Sequence, residues 1–128
     1  MLISYNQNYE KIAMGLLSYI TDFKNMERLR SEMESYVTEE NRKLYLWRSQ
    51  DSDNIVAIIG IEWSDSVVLV RDVSVNPSFR NEGLIYQILD KLQILYPEHA
   101  INGTLETTVF VSKWVQKNKS NSVEGDEV

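Results

Sequence analysis

The chain has 128 residues, no cysteine, and 19 acidic against 13 basic side chains, for a net charge of −6. That length suits one domain with one core, and the missing cysteines exclude disulfides, thiolate catalysis and thiolate metal sites. The acidic balance argues against a broad nucleic-acid surface, which needs clustered Lys and Arg.

No apolar run approaches the roughly 18 residues of a membrane span, and there is no internal repeat. The N-terminal stretch "MLISYNQNYEKIAMGLLSYI" lacks the basic start and small-residue cleavage site of a secretory signal. A cytoplasmic protein with no membrane partner is the simplest expectation.

"MLISY" reads as a short first strand. From Tyr9 to Ile20, apolar Ile12, Ala13, Leu16, Leu17 and Ile20 recur at helical spacing. A second helix is predicted from Asp22, a good N-cap, to about Val37. Met26, Leu29, Met33 and Tyr36 line one of its faces; Lys24, Glu27, Arg28, Arg30, Glu32 and Glu34 form a solvated one. The period then changes. "KLYLWRS" (43–49), "NIVAIIGIEW" (54–63) and "VVLVRDVSV" (67–75) read as an antiparallel meander, joined by the polar turns "QDSD" and "SDS".

Beyond the third of these strands, Ile85, Ile88, Leu89, Leu92, Leu95 and Tyr96 give the clearest amphipathic stripe in the chain. Pro97 stops that helix. Residues 100–105 form one more short strand, and 107–117 a last helix with Phe110, Val111, Trp114 and Val115 on its inner side. A single domain is thus expected over 1–117. The tail "KNKSNSVEGDEV" is too polar to pack, so residues 118–128 are expected to be disordered. The order is strand, two helices, three strands, helix, strand, helix. That is an α/β (α+β) arrangement on a mixed, mostly antiparallel sheet flanked by helices.

The junction "VNPSFRNEGLI" (75–85) carries the most chemistry. Pro77 ends the strand because it cannot donate to a ladder, and the helix begins near Gly83. The first amides of a helix lack intrahelical partners, and its dipole is positive at this end. Gly83 lets a ligand approach the backbone, and Arg80 adds a charged fork for phosphate oxygens. Together these parts can hold a pyrophosphate. An ordinary strand-turn-helix junction has the same ingredients, so both readings stand on these residues alone.

"V-x-P-x-x-R-x-x-G" before an amphipathic helix resembles the acetyl-CoA-binding motif of the Gcn5-related N-acetyltransferases (GNAT), and the element order over residues 1–117 resembles their fold. More narrowly, "YEKIAMGLLSY", the short length and "ETT" at 106–108 resemble the small acetyltransferase-like proteins of bacterial riboflavin operons. The resemblance implies a GNAT-like acyl-CoA N-acyltransferase fold, shortened at the C-terminus, with acetyl-CoA as co-substrate and a small-molecule or protein amine as acceptor. It further implies that backbone groups of Val73, Ser74 and Val75 pair with pantetheine, while the amides of Arg80, Asn81, Glu82, Gly83, Leu84 and Ile85 hold the pyrophosphate. The amine then attacks the acetyl carbonyl directly, with no metal, through positioning and oxyanion stabilisation.

The sequence departs from the family pattern in several places. Ile85 stands where a small residue is usual, and Glu82 suits a bare helix start but repels a pyrophosphate. Val111 occupies the position of a tyrosine that protonates the leaving thiolate in many relatives; water can substitute, since such a thiol has a pKa of about 8.5. With no further strand pair after the last helix, the acceptor pocket is either open or completed by a partner subunit, as in a homodimer.

A protonated amine must also lose a proton before attack. Glu62 and Asp72, on central strands among apolar neighbours, are the candidate bases. The alternative for both is an outward-facing strand carboxylate, and Asp72 can simply pair with Arg71 or a neighbouring strand. His99, the one histidine, reads as a surface residue. Trp47, Trp63 and Trp114 read as core rather than as an aromatic acceptor wall. No metal-ligand spacing is present. Two functions follow: an acetyl-CoA-dependent N-acetyltransferase, or a catalytically weak protein of the same fold that acts as a CoA-binding or protein-interaction module.

Overall fold

A computed structural model describes the backbone of residues 1–79 and 83–126, and their side chains up to residue 119. Its elements in chain order are β1 (Leu2–Ser4), α1 (Glu10–Leu17), α2 (Met26–Thr38), β2 (Arg42–Arg48), β3 (Ile55–Trp63), β4 (Val67–Val75), α3 (Leu84–Leu95), β5 (Ala100–Gly103) and α4 (Thr108–Asp126). The strands form one sheet in the order β1-β2-β3-β4-β5. All neighbours are antiparallel except β4 and β5, which run parallel. No helix among the described residues is long and apolar enough to cross a membrane.

The near-continuous apolar run of β3 has a simple cause. It lies at the centre of a sheet covered on both faces, so neither of its faces can be polar. On one face α1 and α2 bring Ala13, Leu16, Leu17, Leu29, Met33 and Tyr36 onto Leu44, Leu46 and Ile58. On the other, α3 and α4 bring Ile88, Leu89, Leu92, Val111 and Trp114 onto Ile59, Ile61, Val68 and Val70. Each fully buried Leu or Ile in these layers contributes about 1.5–3 kcal/mol through removal from water.

Where helices start and stop differs from the sequence reading, for local reasons. α2 starts at Met26, not near Asp22. Asn25 is extended and its side chain accepts the Arg28 amide at 3.1 Å, which makes Asn25 the N-cap. Asp22 instead lies in a 3-10 turn over Thr21–Lys24. With the start so placed, Met26 is exposed rather than on the inner face, and Ile12 and Leu95 are exposed as well. The last helix does not stop at Lys117: the backbone expected to be disordered from residue 118 is helical as far as Asp126. No proline interrupts it. Within this helix Val111 and Trp114 are buried with Thr107, at i, i+4 and i+7. Phe110 and Val115 lie off that stripe and are exposed.

One contact ties the helical layer to the sheet more tightly than any stripe suggests. The Tyr36 ring from α2 lies directly over Gly60 of β3, and a Cβ at Gly60 would collide with the ring and its hydroxyl. Gly15, exposed in the middle of α1, has nothing near the position of a Cβ. Replacing each by Ala therefore has opposite effects. Gly60→Ala is expected to lose about 1–3 kcal/mol through overpacking, and Gly15→Ala to gain about 0.5–1 kcal/mol through helix propensity. Urea unfolding of both variants measures this.

Candidate functional site

β5 pairs with β4 only from Val67 to Val70 and ends at Gly103, whereas β4 runs on to Val75. The two strands are parted by a small polar knot. The buried Thr107 hydroxyl donates to the Val70 carbonyl at 2.7 Å, and the Thr104 amide donates back to the Thr107 hydroxyl at 2.9 Å. Gly103 permits the turn, because a Cβ there would meet the Thr108 backbone and the Thr107 hydroxyl at 2.8–2.9 Å. Beyond this point no strand borders β4 on that side among the described residues.

A pocket of about 390 Å³ fills the fork, lined by Val73, Ser74, Val75, Leu84, Ile85 and Phe110, with Tyr19 and Ile20 closing it. The fork thus brings together five of the residues expected at the cofactor. Ser74 joins through its backbone, since its hydroxyl is turned the other way and donates to the Leu16 carbonyl at 2.6 Å. Ile85 is half-buried, packed on the core while lining the pocket. Gly83 has φ 93° and forms the N-cap of α3, a left-handed conformation that favours glycine. The space where its Cβ would be is open. Arg80, Asn81 and Glu82 lie outside the described residues.

A larger cleft of about 840 Å³ adjoins the fork, sharing Tyr19, Ile20, Val73 and Phe110 with it. Its wall carries Asp72 and Glu32, with Asp22, Arg28, Arg71 and Glu106 around them. The placement of Asp72 follows from a β-bulge. Gly60 pairs with Asp72 and Ile61 with Val70, so Arg71 is an extra residue in β4. Normal alternation would send Arg71 and Asp72 to opposite faces. The bulge lets both reach α2: Asp72 receives the Tyr36 hydroxyl at 2.5 Å, and Arg71 Nη2 contacts the two Glu32 carboxylate oxygens at 3.2 and 3.3 Å.

Burial pushes the Asp72 carboxyl up to about 8, helped by its hydrogen bond with Glu32 and opposed by that with Tyr36. Burial also raises Tyr36, and the Asp72 charge raises it further. Glu32 goes the other way: burial alone would raise it, but the hydrogen bond with Asp72 and the Arg71 and Arg42 charges hold it below its ordinary value. A carboxyl that still keeps its proton near neutrality, in a cleft beside an open strand edge, is poised for proton transfer.

Glu62, the other expected base, does not line the cleft. It is held by Arg42 at 2.6 Å and lies 3.9 Å from Arg71, a charge partner in the network behind Asp72. His99 is half-buried, its Nε2 3.0 Å from the Ser64 carbonyl and its ring edge-on to Tyr96. Trp47 and Trp114 are buried in the core and Trp63 packs against it. The aromatic wall of the cleft is instead Tyr19, Phe23 and Phe110. Glu32, in the cleft wall, and Tyr36, on Asp72, join the candidate site without having stood out in the sequence: one read as part of a solvated face, the other as core. Their i, i+4 spacing on α2 is the one signal, and it acquires meaning only beside the bulge.

Between about pH 4 and 8 the native chain holds a proton on Asp72 that the unfolded chain has released. Stability is therefore expected to fall as pH rises through that window, and Asp72→Asn to flatten the slope. Urea midpoints at pH 5, 6.5 and 8 measure it.

No family model matches the chain. Over 114 residues it is 36% identical to an "uncharacterized N-acetyltransferase in lysA 3′ region" of Bacillus methanolicus, a match spanning 88% of this chain and 93% of the relative. Among solved structures it is similar to AAC(6′)-Iy in complex with the bisubstrate analogue CoA-S-monomethyl-acetylneamine (TM-score 0.69, 13% identity, 92% of this chain and 87% of that one). It is likewise similar to the aminoglycoside 6′-N-acetyltransferase AAC(6′)-IG of Acinetobacter haemolyticus (TM-score 0.67, 12% identity, 92% and 88%). The five-stranded sheet parted between β4 and β5 has the architecture of these enzymes, and together with the 36% identity to an N-acetyltransferase it identifies the chain as a member of the Gcn5-related N-acetyltransferase superfamily.

Proposed function

We propose that this protein transfers the acetyl group of acetyl-CoA to a primary amine by direct attack. The observation that carries the reading is the meeting, at Val73, of the β4–β5 fork with an acid-walled cleft. In this reading the β4 backbone over Val73–Val75 holds the pantetheine arm, and the first turn of α3 after Gly83 faces the pyrophosphate. The solved structure of AAC(6′)-Iy with a CoA bisubstrate analogue supports this choice of co-substrate. Arg80, Asn81 and Glu82 remain part of the proposed phosphate grip by virtue of the motif.

In the chemistry, Asp72 first gives up its proton to water, and the carboxylate so formed takes one proton from an ammonium entering the cleft. The freed nitrogen lone pair attacks the thioester carbonyl carbon, the C–S bond breaks as the oxyanion collapses, and CoA leaves as thiolate. The protonated amide nitrogen then loses a second proton, which passes through water to the thiolate, and keeps the third. Positioning in the fork supplies much of the acceleration, as in any reaction between two held groups. The acceptor is a small-molecule or protein amine. An amine of flavin metabolism is a specific candidate, supported by the likeness of "YEKIAMGLLSY" and "ETT" to riboflavin-operon proteins. A cytoplasmic catalytic domain over residues 1–117, active as a monomer or a homodimer, completes the proposal.

One observation favours a second reading, a CoA-binding protein with little turnover. Val111 is buried in the core, so this position of α4 offers no hydroxyl to the leaving thiolate.

Calorimetric titration tests the site. Acetyl-CoA and CoA are expected to bind and ATP to bind far more weakly; Gly83→Trp, verified as folded by circular dichroism, is expected to lose binding. Failure of wild type to bind acetyl-CoA at millimolar concentration would remove the co-substrate. The reaction is tested by thiol release from acetyl-CoA with a panel of an aminoglycoside, a diamine and a lysine peptide. Asp72→Asn is expected to lower kcat/KM by about 10²–10⁴, and thiol release by neither protein with any amine would favour the second reading.

A further inference from the structure

The thiolate that leaves in the proposed transfer needs a proton, and the walls of the fork limit where it can come from. Ile20, Val73, Val75, Leu84, Ile85 and Phe110 carry no polar side-chain atom. Ser74 turns its hydroxyl away and donates it to the Leu16 carbonyl at 2.6 Å. Among the described residues that line the fork, this leaves Tyr19. It is 43% exposed, its hydroxyl makes no hydrogen bond to another described residue, and it lines the adjoining cleft as well.

Local structure puts Tyr19 there. Helix α1 ends at Leu17, and the chain then turns tightly, with the Tyr19 amide on the Leu16 carbonyl at 3.3 Å and the Ile20 amide on the Leu17 carbonyl at 3.0 Å. The same Leu16 carbonyl accepts the Ser74 hydroxyl, so the end of α1 is tied to the strand that borders the fork. Tyr19, three residues on, is thereby held over β4. Ile20 packs against the core beneath α1 and α2, while the tyrosine ring stays at the surface. Lys24 Nζ lies 6.0 Å from the ring centre, a cation–π contact that restrains it.

We infer that Tyr19 is the general acid of the transfer, its phenol hydroxyl delivering a proton to the CoA sulfur as the C–S bond breaks. The inference rests on the acetyl-transfer reading and adds to it the donor that buried Val111 does not provide. The sulfur takes the electron pair of the C–S bond and the phenolic proton, which leaves CoA as thiol and Tyr19 as phenolate. The second proton lost by the protonated amide nitrogen then returns through water to the phenolate. Tyr19 thus replaces water as the immediate donor to sulfur. Because it borders the cleft as well as the fork, water in the cleft can carry the returning proton.

Tyr19→Phe keeps the ring and removes only the hydroxyl at an exposed site, with folding checked by circular dichroism. Calorimetry of the full chain compares CoA with acetyl-CoA, which has no thiol to ionise, at pH 7 and pH 9. A thiol of this kind ionises at about pH 8.5, so a thiolate is abundant only at the higher pH. The charged groups around Tyr19, Lys24 at its ring and Asp22, Arg28, Glu32, Arg71, Asp72 and Glu106 in the cleft, are common to both proteins and cancel in the comparison. Relative to acetyl-CoA, CoA is expected to bind Tyr19→Phe about fivefold more weakly than wild type at pH 9, and equally at pH 7. In thiol release, kcat is expected to fall about tenfold or more, with the KM for acetyl-CoA unchanged within about twofold. An affinity ratio that matches wild type at both pH values, or an unchanged kcat, overturns the inference. So does a loss of affinity equal for CoA and acetyl-CoA, which makes Tyr19 part of the wall only. The reading beneath it fails by other signs: wild type that binds neither CoA nor acetyl-CoA, or that releases thiol with no amine, removes the acetyl transfer and the inference with it.

Discussion

The extra residue in β4 is the constraint on which the rest of the site depends. With regular pairing, Arg71 and Asp72 would face opposite sides of the sheet, one to α2 and one to α3 and α4. Because Gly60 pairs with Asp72 while Ile61 pairs with Val70, both side chains reach α2, and both find a partner one helical turn apart there. The bulge also comes one residue after the end of β4–β5 pairing. One local irregularity therefore stands where the sheet opens and where the buried Asp72 meets α2.

What holds the bulge in place is mostly packing. Tyr36 needs the missing side chain of Gly60 to bring its hydroxyl down to Asp72, so a glycine in one strand and a tyrosine on a distant helix specify each other. A carboxyl this buried would be costly if ionised and unpaired. Keeping its proton near neutrality lessens that cost, and the Tyr36 hydroxyl gives the carboxyl a partner. Packing and protonation thus support each other at the same spot.

The element order and the strand limits of β4 were legible in the sequence because period and punctuation carry them: apolar runs of strand length, a stripe from Ile85 to Leu92, proline at 77 and 97. Helix starts were less so. Asp22 and Asn25 are both good caps, and only backbone conformation chooses between them. The strand side of the site was legible too, since Val73–Val75 and Gly83 follow from the motif. The helix side was not. Glu32 looks like its charged neighbours Arg28 and Glu34, and nothing in a linear pattern says that one residue of that face meets a bulge two strands away. Glu62 looked alike in the sequence, but it belongs to the outer, charge-balancing end of the network around Asp72.

The Thr107 hydroxyl on the Val70 carbonyl acts as the stop on a zipper. Each further residue of β4–β5 pairing would close the fork by one strand step, about 3.3 Å, and each residue less would deepen it. The depth of the fork is thus set by one side chain in the turn between β5 and α4. A substitution in this turn, such as Thr107→Val, would therefore alter the opening of the sheet without touching the residues that line the pocket.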